Sequence, residues 1–304
     1  MRAFLRVGIM VLAGLSTSLA VDPLLLNLVM PEARAVAGLD VARAATSPLG
    51  RFLLAEVSTQ AEQDWQRLRD MTGFDPRSDL REILAAAPGG ANDPRRIVTA
   101  AGRFDAARII ALARSHGAEV ISYQGTEILH FGAKDKHSAA LVFLNDALAA
   151  AGDPDSVRLA VGRHRHGGPA LNPTLARLIE SWSATNEAWF VSLIPGRDLV
   201  RPAAGPQATA LSVIERAAGG MQLGEMVVGT AELTAQSAQD AAALGDLARL
   251  VSSLPGLNRR DPRAARLADL LRQLEVSVSG QTVRLRLAVP EQQLEELILL
   301  MRPR

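Results

Sequence analysis

The sequence predicts an α+β fold, with mostly antiparallel sheets and helices packed on them, in two duplicated halves. Three observations carry this. Hairpin signals centred on glycine occur at Gln124-Gly125 and Gly280-Gln281, each flanked by short β-type runs. Apolar stripes at helical spacing lie between such runs, for example Leu267, Leu270, Leu271 and Leu274. The order strand, helix, hairpin also occurs twice. Ile97 to Ala101 leads through a helix to Glu119-Val120, Gly125 and Ile128, and Met226 to Leu233 leads through helices to Glu275-Val276, Gly280 and Val283. The junction Val36-Ala37-Gly38-Leu39-Asp40 echoes Ala101-Gly102-Arg103-Phe104-Asp105.

The elements follow in order. Leu24 to Met30 is a short lead-in closed by Pro31, and Ala35 to Leu39 is a strand. Val57, Ala61, Trp65, Leu68 and Met71 make Glu56 to Met71 an amphipathic helix, with Gly73 at its C-terminal cap. Asp75-Pro76 then supplies an N-cap and a Pro at the first helical position, which predicts a helix carrying Leu80, Ile83 and Leu84. Arg96 to Ala101 is a strand, and a helix with Ile109, Leu112 and Ala113 on one face follows it. Glu119 to Tyr123 and Glu127 to Phe131 form a hairpin, and Ala139 to Leu144 is a buried strand. Val157, Leu159 and Val161 alternate with Arg158 and Ala160, which predicts a strand. Leu175, Leu178, Ile179 and Trp182 form a helix face, and Glu187 to Ile194 is a strand.

A linker rich in proline and glycine, Arg201 to Gln207, divides the chain into halves at 21–200 and 208–304. After it come a helix from about Ala210 to Ala217, a strand from Gln222 to Leu233, and a helix N-capped by Thr234. That helix presents Leu244, Leu247, Ala248 and Val251. A second helix, the hairpin of Glu275 to Ser279 with Thr282 to Val289, and a final helix opened by Pro290 complete the chain.

Composition narrows the function classes. Hydrophobic residues are 48% and charged residues 21%, the usage of an ordinary globular chain. Aromatics are only 4%, so the core falls to Leu, Val, Ile and Ala. The formal charge is +1, and no global field steers the chain to nucleic acid or anionic lipid. There is no cysteine, which excludes thiol catalysis, thiolate metal sites, disulfides and a lipid anchor on a cysteine.

The N-terminus has the three-part pattern of a secretory signal at 1–20. Arg2 and Arg6 form a positive region, Val7 to Leu15 a short apolar region, and Ser18-Leu19-Ala20 a small-residue cleavage site. The expected compartment is the periplasm or the exterior, with no membrane span after cleavage. One alternative is an uncleaved anchor running from Val7 to Met30, which would carry Asp22-Pro23 within the span at a cost of about 2.5–3.5 kcal/mol for a central charge. The other is a buried N-terminal helix of a cytosolic protein.

The run Gly73-Phe74-Asp75-Pro76, with Asp79-Leu80, Gly102-Arg103-Phe104-Asp105, Tyr123-Gln124-Gly125 and the Pro290-Glu291 start of the last helix, resembles uncharacterised exported bacterial proteins. The resemblance implies a signal peptide ahead of a mixed α/β body. It implies no reaction, because its motifs are caps and turns.

No glycine-rich nucleotide loop, zinc-protease motif, nucleophile elbow or Ser-x-x-Lys occurs, and Lys134 and Lys136 are the only lysines. The sharpest polar cluster is Arg163-His164-Arg165-His166. On a strand His164 and His166 would share a face, and His130 or His137 would complete a metal site. The competing reading is a charged strand end running into Gly167-Gly168-Pro169. Asp153 and Asp155 around Pro154 read as a turn, and Arg259, Arg260, Arg263 and Arg266 as a solvated helix face. Trp65 and Trp182 lie on apolar stripes, while Trp189 is a candidate groove-lining aromatic opposite Phe190.

These readings assign no catalytic residue, no metal site and no cofactor. They favour a non-enzymatic exported protein that binds an apolar ligand or an envelope protein. The alternatives are a metal-dependent hydrolase using His130, His164 and His166, and a purely structural envelope module.

Overall fold

A computed structural model describes residues 21–301 apart from 61, 90–92, 94, 133–137, 200–209 and 254–261. The fold is α+β. One twelve-stranded sheet, every neighbouring pair antiparallel, takes the place of the separate sheets expected. Its strands are β1 (Ala35–Asp40), β2 (Leu80–Ala87), β3 (Ile97–Gly102), β4 (Glu119–Tyr123), β5 (Thr126–Phe131) and β6 (Ala139–Asn145). They continue as β7 (Leu148–Gly152), β8 (Ala188–Ser192), β9 (Ile214–Gln222), β10 (Met226–Ala235), β11 (Glu275–Ser279) and β12 (Thr282–Pro290).

The order across the sheet is β11-β12-β10-β9-β8-β1-β2-β3-β7-β6-β5-β4. Two three-strand meanders, β1-β2-β3 and β8-β9-β10, meet back to back at the β1·β8 seam. Each is followed by helix and then hairpin. In the second, β12 adds directly to β10, whereas in the first the β6-β7 hairpin is interposed. The strand–helix–hairpin order read from the sequence is therefore present twice in the topology. The 201–207 linker lies outside the described residues, and the sheet itself is continuous.

The helices are α1 (Pro23–Leu28), α2 (Val41–Ala44), α3 (Pro48–Gln60), α4 (Glu62–Thr72), α5 (Pro76–Asp79) and α6 (Ala106–Ser115). Then follow α7 (Pro154–His166), α8 (Pro173–Ser183), α9 (Gly196–Leu199), α10 (Ala238–Ser253), α11 (Pro262–Leu271) and α12 (Glu291–Met301). No described helix is long and apolar enough to cross a membrane. The main core lies between one face of the sheet and α1, α7 and α8. Leu25 and Leu28 of α1, Val157 and Val161 of α7, and Leu175 and Ile179 of α8 pack on Leu84, Ile97, Ile128 and Val142.

Four local expectations are corrected. Residues 157–161 are helical. Val157, Ala160 and Val161 are buried at helical spacing and Leu159 points to solvent. The cap decides this: the Asp153 side chain accepts from Ser156 N, and Pro154 sits in the first turn. Asp75 likewise caps α5, but α5 lasts four residues and Leu80, Ile83 and Leu84 belong to β2. The expected helix from 210 to 217 gives way to β9 from Ile214. Thr234 stays in β10, and Ser237 accepts from Asp240 N at the start of α10. Both hairpin turns stand as read. Gln124 and Gly125 have φ of 48° and 71°, the left-handed pair of a two-residue hairpin loop.

Candidate functional site

The polar candidates separate. Because 157–166 is helix, His164 and His166 project about 200° apart around it. Both are exposed in the last turn, where cations complement the helix C-terminus. His130 is buried on β5, and its Nε2 makes no hydrogen bond among the described residues. His137 lies outside the described residues. No group of three His, Asp or Glu among the described residues is placed to hold a metal ion.

The arginines and aspartates of this region are structural. Arg163 is 7% exposed and donates from Nε and Nη2 to the carbonyl of Leu28, at 3.2 and 2.7 Å, which ties α7 to the end of α1. Burial pushes its guanidinium down from the ordinary arginine value. Arg165 reaches Thr126 Oγ1 at 3.3 Å. Burial pushes Asp153 up, but bonds from Ser156 and from the backbone N–H of Arg96 outweigh it and hold the carboxyl below its usual range. Asp155 pairs with Arg158 on the surface. Of the basic run, Arg259, Arg260 and the Arg263 side chain lie outside the described residues, and Arg266 pairs with Glu296 of α12 at 2.7 Å.

The unusual feature is the other face of the sheet. Residues directly opposite one another on neighbouring strands share a face. From β4 inward, one such row runs Val120, Leu129, Leu141, Ala151, Val98, Ala85. It continues through Ala37, Phe190, Gly219, Ala231, Leu285 and Val276 to β11. All twelve strands contribute, and no residue in the row is polar. Two residues along, a parallel row of nine is equally apolar, with Phe143, Ala149, Ala100, Ile83 and Leu39, then Ala188, Met221, Gly229 and Leu287.

Among the described residues, helices cover this face only at its ends. At one end α4 and α6 close a cavity of about 330 Å³ against Val98, Ala100, Leu141 and Phe143. Phe104 lies 5.5 Å from both Phe74 and Phe143, so three aromatic rings form its wall. Thr72, the single polar residue in its described lining, donates to Leu68 O and accepts from Phe74 N. At the other end α10 packs on Val283 and Leu285, and α3, α11 and α12 pack on Leu287 and Val289. Between them lies an open trough of about 530 Å³, lined by Ala37, Phe190, Met221, Gly229, Leu274 and Leu287 among others. Leu39, Phe190 and Met221, at 38%, 42% and 40% exposure, stand in or beside it.

Small residues shape the floor. Gly219 is needed because the Phe190 ring lies over it, and a Cβ there would come within 2.6 Å of that ring. A Cβ on Gly229 would meet nothing within 4 Å, so this position opens onto empty space. Both aromatics of β8 border the trough, but the exposed ring is not the one expected. Trp189 is buried, packed over Gly38 on the helix-covered side, while Phe190 is the exposed ring. Trp182 is buried as expected, and the Trp65 side chain lies outside the described residues. The sequence carries one signal for the trough, the density of Gly and Ala in β1, β9 and β10, although the expected helix at 210–217 takes in the start of β9.

No known protein family and no curated protein matches the chain. Among solved structures it is similar to TP0453. Crystal form III is 13% identical with a TM-score of 0.52, covering 91% of this chain and 98% of that one. Crystal form IV is 12% identical with a TM-score of 0.53, covering 90% and 95%. At this identity the likeness concerns the fold, and it extends over nearly the whole of both chains.

Proposed function

We propose that the chain is an exported, non-enzymatic protein that binds an apolar ligand, of the acyl-chain class, on the open face of its sheet. The observation that carries this is the twelve-residue row without a polar side chain, which no described helix covers over β1, β8 and β9. Apolar surface facing water costs about 25 cal/mol per Å². A ligand lying along Ala37, Phe190, Met221 and Leu287 would remove that cost. Both cavities fall in the ordinary size range of small-molecule sites, roughly 300–1,000 Å³. Each has an almost wholly apolar lining, which favours a ligand recognised by shape and hydrophobicity over one held by charge.

Export follows from the signal pattern at 1–20, and the periplasm or the exterior is the compartment on this reading, with the uncleaved anchor as its rival. Native mass spectrometry of the protein recovered from its compartment tests the proposal. The expected result is a one-to-one adduct of lipid mass. A bare monomer would contradict it. A protein partner is a second reading, favoured by the outward stripe Leu247, Leu250 and Val251 on α10, and a mass for a complex with another protein in the same spectrum would select it.

A further inference from the structure

The expected cleavage point falls against a built feature of the fold. Val21, the residue after Ala20, is 6% exposed. Its backbone nitrogen donates to the hydroxyl of Ser183 at the end of α8, at 3.3 Å. The next nitrogen, of Asp22, donates to Glu82 Oε2 at 3.0 Å. Successive backbone nitrogens are at most about 4 Å apart by covalent geometry, so the Glu82 carboxylate lies roughly within 7 Å of the Val21 nitrogen.

Among the described residues this corner has more carboxylates than cations. Glu82 stands across from Asp40 on β1, and Asp22 of the lead-in approaches the same carboxylate. Glu187 is near, but Arg43 serves it at 2.5 Å and Asp40 at 3.8 Å. Arg81 is next to Glu82 on the strand, exposed at a register irregularity, and forms no ion pair with it. Glu180, one turn before Ser183, is exposed. Glu82 therefore has no ion pair among the described residues. Burial pushes its carboxyl up, and Asp40 and Asp22 push it further, against the bond from Asp22 N and the attraction of Arg81.

We infer that cleavage after Ala20 supplies the missing cation, seating the new α-ammonium of Val21 between the Ser183 hydroxyl and the Glu82 carboxylate. The inference rests on the export reading. A signal peptidase and one water hydrolyse the Ala20–Val21 amide. The carboxylate leaves on Ala20, and the freed amine of Val21 takes up a proton. Leu25, Leu28 and Met30 already anchor this lead-in within the core, so the charge is delivered to a fixed place. Processing then completes the fold as well as releasing the chain.

The sign of the pH dependence follows. With an amide at position 21, Glu82 titrates above its unfolded value, so stability falls as pH rises from the ordinary glutamate range through the raised one. An α-ammonium beside it offsets that fall. The contribution of the amine is present while it is protonated and disappears as pH rises through its folded value.

The test starts from the full chain exported by a bacterial host, with the N-terminus of the product read by mass spectrometry. Part of the product is unfolded, its α-amine converted to a neutral ketone by transamination with pyridoxal phosphate, and refolded. The expected N-terminus is Val21. At pH 7 the untreated form should melt about 2–4 °C above the transaminated one. In Glu82→Gln the gap should close, because the neutral amide no longer needs a cation. A different N-terminus would overturn the cleavage reading. No gap in the wild type, or an equal gap in Glu82→Gln, would overturn the ion pair and leave ligand binding untouched.

Discussion

The two faces of the sheet differ by one residue of register and by everything that follows from it. On the covered face the row through Val36 is apolar in the middle, with Ile97, Ala86, Val191 and Ala218, and α1 and α8 lie over this region. Beyond the helices it turns polar, ending in Glu232, Arg284 and Ser277 on one side and Glu119 on the other. That is the economy of an ordinary protein: apolar where covered, charged where wet. The row through Ala37 does not follow it. It stays apolar across all twelve strands whether or not a helix lies above. On the proposed function, this difference is what a face kept for contact with an apolar ligand would show.

The comparison can be broken most forcefully on the covered face. Ile179 of α8 is fully buried. Ile179→Ala should cost about 2–5 kcal/mol in denaturant unfolding, through lost burial and a cavity. A cost below about 1 kcal/mol would mean that this face is not the main core. Next, Asp153→Ala should cost about 0.5–2 kcal/mol by removing the cap of α7, while Asp153→Asn keeps most of it. Because Asp153 titrates below its unfolded value, the wild-type advantage over Asp153→Asn is present above that value and lost as pH falls through the folded one. Denaturant titrations at pH 7 and pH 3 would show it.

The open face should respond least. Phe190→Ser removes a ring that is 42% exposed, and unfolding should shift by about 1 kcal/mol or less. If it costs as much as Ile179→Ala, the open face is core after all.

Much of this was legible in the residues, and the limit has a physical shape. The hairpins β4-β5 and β11-β12 were readable because turn chemistry and period-2 alternation are local. The cap at Asp75 is readable for the same reason, whereas Asp153 and Asp155 around Pro154 read as a turn and Asp153 in fact caps α7. At 157–161 the alternation suggested a strand, although the Asp153-Pro154 start already argued for helix. At 80–84 the cap was right and the helix length wrong, because pairing of Ile83 with Leu39 and Ala100 claims the segment for the sheet. β9 was missed because Ala217, Ala218, Gly219 and Gly220 have no strand signature. They are small because Phe190 and Asn186 lie over the glycines. The trough itself was not legible, since its rows join residues as far apart in sequence as Ala37 and Leu285 through register.

The central claim is tested most directly at Gly229, in the row of Met221 and Leu287. A Cβ there meets nothing within 4 Å, and a strand interior favours a side chain over glycine. Gly229→Leu should therefore leave the melting temperature unchanged or slightly raised while filling the trough. Titration with a fluorescent fatty acid, on delipidated protein, should show saturable one-to-one binding to the wild type and at least about tenfold weaker binding to Gly229→Leu, corresponding to about 1.4 kcal/mol. Equal affinities in the two proteins, or no saturable binding to the wild type, would contradict the account.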